Sequence, residues 1–130
     1  MNKKTIFFFL IFFFVITSVF TQESSESPRY RLFKTENMWT FLKLDTMTGQ
    51  IWQVHFSLND EDSRYETVLN EINIPEELEK PLIIGRYTLY PTDNMYNFIL
   101  LDQIDGITMQ VQWSWEKKYR YVVPIYDFYE

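Results

Sequence analysis

Apolar and polar positions alternate with a period of two along most of the chain after residue 29. From residue 39 to 44, Trp39, Phe41 and Lys43 fall on one side and Thr40, Leu42 and Leu44 on the other, the spacing of a pleated strand and not of a helix. Large apolar groups on both sides predict a strand over residues 38–44 that is largely buried on both faces. Between residues 51 and 58, Trp52, Val54, Phe56 and Leu58 alternate with Ile51, Gln53, His55 and Ser57. That pattern predicts a half-buried third strand with the Trp52 side inward. Residues 30–33 and 64–69 supply a first and a fourth strand. Residues 34–37 and 59–63 are polar turns, and residues 45–49, from Asp45 to Gly49, read as a hairpin connection. There Asp45 bonds downstream amides and Gly49 takes the positive φ that closes the turn.

The same text is then written again. Residues 29–57 realign on residues 86–114 at an offset of 57, and 13 of the 29 paired positions are identical, where chance gives roughly two. The retained residues include Arg29/Arg86, Tyr30/Tyr87, Leu32/Leu89, Phe41/Phe98, Asp45/Asp102, Gly49/Gly106, Gln53/Gln110 and Val54/Val111. Strands are expected over residues 87–90, 95–101, 108–115 and 119–125, each repeat being a four-stranded antiparallel meander. Repeat 1 covers residues 29–70, a linker 71–85, and repeat 2 residues 86–126. Pro75, with acids after it and Pro81 as terminator, predicts at most a short helical turn in the linker. The expected fold is all-β: two tandem meanders packed as a pseudo-two-fold sandwich or partly closed barrel, preceded by an N-terminal signal helix. The expected core joins Trp52, Val54 and Phe56 to Met109, Val111 and Trp113.

Lys3 and Lys4 precede an apolar run from Ile6 to Phe20 broken only by Thr17 and Ser18, the layout of a secretory signal over residues 1–21. At about 15 residues the run is shorter than a membrane-spanning helix requires. Cleavage would leave Gln22 at the new terminus, with an uncleaved anchor as the alternative and the only membrane attachment. Residues 22–28 form a Glu/Ser-rich leader. The chain has no cysteine, which excludes a disulfide framework and thiolate chemistry. Without residues 1–21 the net charge is −8, so nucleic acid and anionic lipid are poor partners. Export points to the periplasm, the cell surface or the medium of a bacterium.

Two resemblances attach to these motifs. Leu44-Asp45-Thr46-Met47-Thr48-Gly49-Gln50-Ile51-Trp52 resembles the aspartate, Thr-Gly, tryptophan signature of quinoprotein-type β-propeller blades. The Gly-to-Trp spacing is one residue short, and repeat 2 has Asp105 for Thr48 and Met109 for Trp52. The resemblance implies the hairpin geometry and no quinone, and two units do not close a propeller of about four to eight blades. The longer pattern, Asn-Met-aromatic-x-Phe, Leu-Asp-x-x-x-Gly and Gln-Val-x-aromatic-Ser over residues 37–57 and 94–114, is similar to small exported proteins of Bacteroidota-type bacteria. It implies source and export, and assigns no active site.

Chemistry-bearing residues are few. Asp45/Asp102 could act as paired carboxylates, but each lies at a turn where local hydrogen bonding explains it. Asp60, Glu61 and Asp62 lack the ligand spacing of a calcium loop. His55, the only histidine, faces Gln112 in the repeat, and no nucleophile motif accompanies it. No cofactor or metal is expected. The candidate ligand-binding residues are Trp39, Tyr96, Gln53, Gln110, Gln112 and Trp115, aromatics and amides suited to glycan or peptide. A non-enzymatic binding module comes first among the readings. A structural or assembly subunit pairing through sheet edges is second, and a two-carboxylate hydrolase third.

Overall fold

A computed structural model describes residues 27–127. The expected signal segment, and nearly all of the leader, lie outside the described residues, among which no helix is long and apolar enough to cross a membrane. The order is β1 (Tyr30–Lys34), β2 (Thr40–Asp45), β3 (Ile51–His55), β4 (Tyr65–Asn70), a one-turn helix α1 (Ile74–Glu77), then β5 (Tyr87–Pro91), β6 (Asn97–Asp102), β7 (Thr108–Gln112) and β8 (Tyr121–Pro124). Two antiparallel sheets result, β1-β2-β3-β4 and β5-β6-β7-β8. The fold is all-β, two meanders stacked as a sandwich.

Identical turns explain the identical strand order. Asn37 accepts the Trp39 amide at 2.9 Å and Asn94 the Tyr96 amide at 3.0 Å. The Thr35 hydroxyl donates to the Thr40 carbonyl at 2.7 Å and that of Thr92 to the Asn97 carbonyl at 3.0 Å. At the next turn Asp45 accepts from Met47, and Asp102 from Ile104 and Asp105. Gly49 and Gly106 close these hairpins at φ +78 and +74, a region that a Cβ disfavours. In the linker, Asn73 caps α1 and Pro75 starts it, while Ile74 drops into the core.

The third strand of repeat 1 is turned over relative to the alternation-based expectation. Ile51, Gln53 and His55 are buried, Trp52 and Val54 are half-buried, and Phe56 is exposed. In repeat 2, Val111 and Trp113 are buried as expected, and Met109 packs half-buried against them. One core gathers Leu42, Leu44 and Ile51 of the first sheet with Tyr87, Leu89, Phe98, Leu100, Val111 and Trp113 of the second. Leu42 and Leu44 align with Ile99 and Leu101, which are only half-buried, whereas Phe98 and Leu100 align with the half-buried Phe41 and Lys43. The two sheets are thus related face to back, not across a two-fold that would bring like faces together. Apolar character on both sides of β2 left either face fit for burial.

Candidate functional site

The seam between the sheets at the β3 and β7 ends is fastened by side chains from both repeats. Gln53 donates from Nε2 to the Ser114 carbonyl at 3.0 Å and accepts the Ser114 amide at 3.1 Å. With the amide so oriented, its NH2 also faces His55 Nε2 at 3.2 Å. That nitrogen therefore accepts, and Nδ1 carries the proton toward Thr40 Oγ1 at 3.0 Å. Burial, and then the positive charge of Arg120, push the His55 pKa below its ordinary value. Arg120 ties the seam further, donating to the carbonyls of Ser114 at 2.7 Å and Trp115 at 2.8 Å and to Thr67 Oγ1 at 3.0 Å.

Above this seam stands Trp115. Its ring stacks on His55 at 4.4 Å and meets Trp113 edge-on at 6.0 Å, yet 48% of it stays exposed. A cleft of ≈ 280 Å³ opens on one flank between Trp115, Trp39, Tyr65 and Phe56. A second, of ≈ 340 Å³, opens on the other between Trp115, Tyr96, Tyr119 and Gln112. Polar groups there include the Gln112 amide, bonded to the Tyr119 carbonyl and the Tyr121 hydroxyl, with Asn94, Asn97 and Glu116 on its flank and Ser57 and Ser63 on the other.

Of the sequence-derived candidates, Trp39, Tyr96, Gln112 and Trp115 thus converge on one rim. Gln53 lies beneath it, fully buried and committed to Ser114, which corrects its placement on a wet face. Gln110 lines neither cleft; it bonds Asn97 at 2.7 Å and the Tyr121 hydroxyl at 3.0 Å, the same hydroxyl that donates to Gln112. His55, Tyr65, Tyr119 and Arg120 were missed as neighbours of the rim. The repeat offset pairs His55 with Gln112 and Trp115 with Leu58, so only the stacking of one repeat on the other brings His55 under Trp115.

The carboxylates occupy another end of the sheets. Arg29 Nε and Nη2 reach Asp45 Oδ2 at 3.2 and 3.0 Å, and Arg86 reaches Asp102 Oδ2 at 3.0 and 2.8 Å. Burial acts to raise Asp102, but the Arg86 guanidinium and the amides of Asp105 and Ile104 hold it below the usual carboxylate range. Among the described residues no three His, Cys, Asp or Glu groups are placed to hold a metal ion. A recess of ≈ 600 Å³ runs along edge strand β4 to Lys117 and Arg120 and holds none of the rim aromatics. Comparison with known protein families, curated proteins and solved structures finds no match to this chain.

Proposed function

We propose that this protein is an exported, non-enzymatic binding module that takes a glycan or extended peptide across the aromatic rim centred on Trp115. One observation carries the reading: Trp115 is half in solvent yet held in place by His55 and Trp113, with a cleft on each side. Rigid aromatics lose little conformational entropy on contact, and amides beside them orient a polar ligand. The acidic net charge disfavours anionic partners, so affinity rests on stacking and hydrogen bonds that salt barely screens. Export rests on the basic and then apolar N-terminus. Acid-base catalysis has less behind it, since Asp45 and Asp102 are buried and occupied by arginine and turn amides.

Tryptophan fluorescence of the full-length protein titrated with glycan and peptide panels tests this. Trp115→Ala should weaken binding about tenfold or more, and Trp39→Ala by less. Unchanged affinity in a folded Trp115→Ala variant, or binding abolished by moderate salt, would reject the rim as the site.

A further inference from the structure

The stacking of the two repeats leaves two sheet faces uncovered, and the repeat equivalence tells what covers them. Tyr87 and Leu89 are 1% and 3% exposed, while the same residues in repeat 1, Tyr30 and Leu32, are 51% and 61% exposed. Phe41 and Val54 are likewise less buried than Phe98 and Val111. On the opposite face the relation reverses. Leu44 and Gln53 are fully buried, and their equivalents Leu101 and Gln110 are not. A strand with one wet face carries polar residues there, whereas strands covered on both faces are apolar on both. Here the same residue types, Tyr, Leu, Phe and Val on one face and Leu and Gln on the other, stand at these positions whether or not the chain itself covers them.

Within the chain the contact is heterologous: one face of the repeat lies on the opposite face of the next. Such a contact leaves a free complement at each end, and identical copies satisfy it head to tail, closing into a ring when the rotation permits. We infer that a second copy of this chain covers the open face of repeat 1. Tyr30, Leu32, Phe41 and Val54 of one copy pack on Ile99, Leu101 and Gln110 of the next, and the series closes as a ring of roughly two to four chains, the radial arrangement of about four to eight four-stranded sheets.

The intramolecular bonds specify the intermolecular ones. Tyr87 donates its amide to the Thr46 carbonyl at 2.9 Å, so Tyr30 of one copy donates to the Gln103 carbonyl of the next. Gln110 exchanges Asn97 and Tyr121 for the Ser57 backbone of the neighbour, as Gln53 holds Ser114. Leu58, 72% exposed, takes the place over Gln112 that Trp115 takes over His55. Besides the Arg29–Asp45 pair, which repeat 2 keeps as Arg86–Asp102, the charges on the covered face are Lys34, Lys43 and Glu66, where repeat 2 has Pro91, Leu100 and Val122; Lys43 and Glu66 are already paired with each other.

Light scattering of the full-length protein, purified from an export-competent host, should give one finite mass of roughly two to four chains. Leu32→Arg blocks one face and Val123→Arg the other; both side chains point outward from the single chain, and circular dichroism checks that the variants fold. Each alone should be monomeric. An equimolar mixture should form a heterodimer and nothing larger, because only one intact pair of faces remains. As a second check that introduces no charge, mixing Leu58→Cys with Gln112→Cys chains should yield a disulfide-linked heterodimer. A monomeric wild type at all concentrations, unlimited growth, variants that keep the wild-type mass, or mixtures that neither pair nor cross-link would overturn the inference.

Discussion

His55 sits where repeat 2 has Gln112, with its ring between Tyr65 at 4.6 Å and Trp115 at 4.4 Å. Its pKa is depressed in the folded chain, so the native state keeps it neutral while the unfolded chain takes a proton near pH 6.5. The unfolded state then binds more protons, and stability falls as pH drops below about 6.5. Chemical denaturation at pH 7.5 and pH 5 should show this loss in the wild type and much less in His55→Gln, since no other histidine exists. The two hairpin glycines separate in another way. A Cβ on Gly106 would meet nothing within 4 Å, but on Gly49 it would lie 2.6 Å from Ile74 Cδ1. Gly106→Ala should therefore cost about 1 kcal/mol for the backbone alone, and Gly49→Ala about 1 kcal/mol more for displacing a core side chain. Urea unfolding of both variants measures the gap. The need for glycine was legible in each copy, whereas the inequality arises from where α1 packs.

Strand order, period and turns were readable because they depend on neighbours a few residues away. The inward face of β3 was not. Trp52, Val54 and Phe56 are the more apolar set, yet Ile51, Gln53 and His55 are buried, because the face chosen is the one the second sheet covers. A buried glutamine is tolerated there since both ends of its amide are satisfied by Ser114. Gln53→Ala should cost about 2 kcal/mol by leaving the Ser114 amide without its acceptor and a cavity under the seam, while the Ser114 carbonyl keeps Arg120. In the single chain, for which the Leu32→Arg monomer serves as background, Gln110→Ala should cost under about 1 kcal/mol, as its partners remain partly hydrated. Equal losses in thermal or urea unfolding would contradict the face assignment. The expected β3 over residues 51–58 is also shorter than predicted. Beyond Phe56, whose amide still reaches the Trp39 carbonyl at 3.1 Å, Ser57 turns to cap the loop through Asp60 and Arg64.

At the scale of the molecule, the arginine–aspartate pair of each repeat meets a different environment. Arg86 is 2% exposed and also holds Asp105 and the Pro81 carbonyl of the linker, whereas its equivalent Arg29 is 45% exposed. Arg86→Ala leaves Asp102 buried and unpaired and should cost about 3 kcal/mol or more at neutral pH. Arg29→Ala should cost clearly less. Asp102 is held below its ordinary 3.8, so its contribution is present above that pH and is lost as pH falls through the depressed value. The deficit of Arg86→Ala should accordingly narrow in acid, which denaturation at pH 7 and below pH 3.8 would reveal.

What the sequence determined alone was everything local or repeated: β-strand periodicity, Asx and glycine turns, two meanders in tandem, and the aromatic and amide residue types that line the rim around Trp115. The convergence of Trp39, Tyr96, Gln112 and Trp115 on one rim, the burial of Gln53 beneath it and the placing of His55 under Trp115 were decided by tertiary structure. The physical reason lies in the doubled apolar pattern. A strand with apolar groups on both sides does not state which side meets its neighbour, and side chains 60 residues apart share a site only after one sheet has been laid, face to back, upon the other.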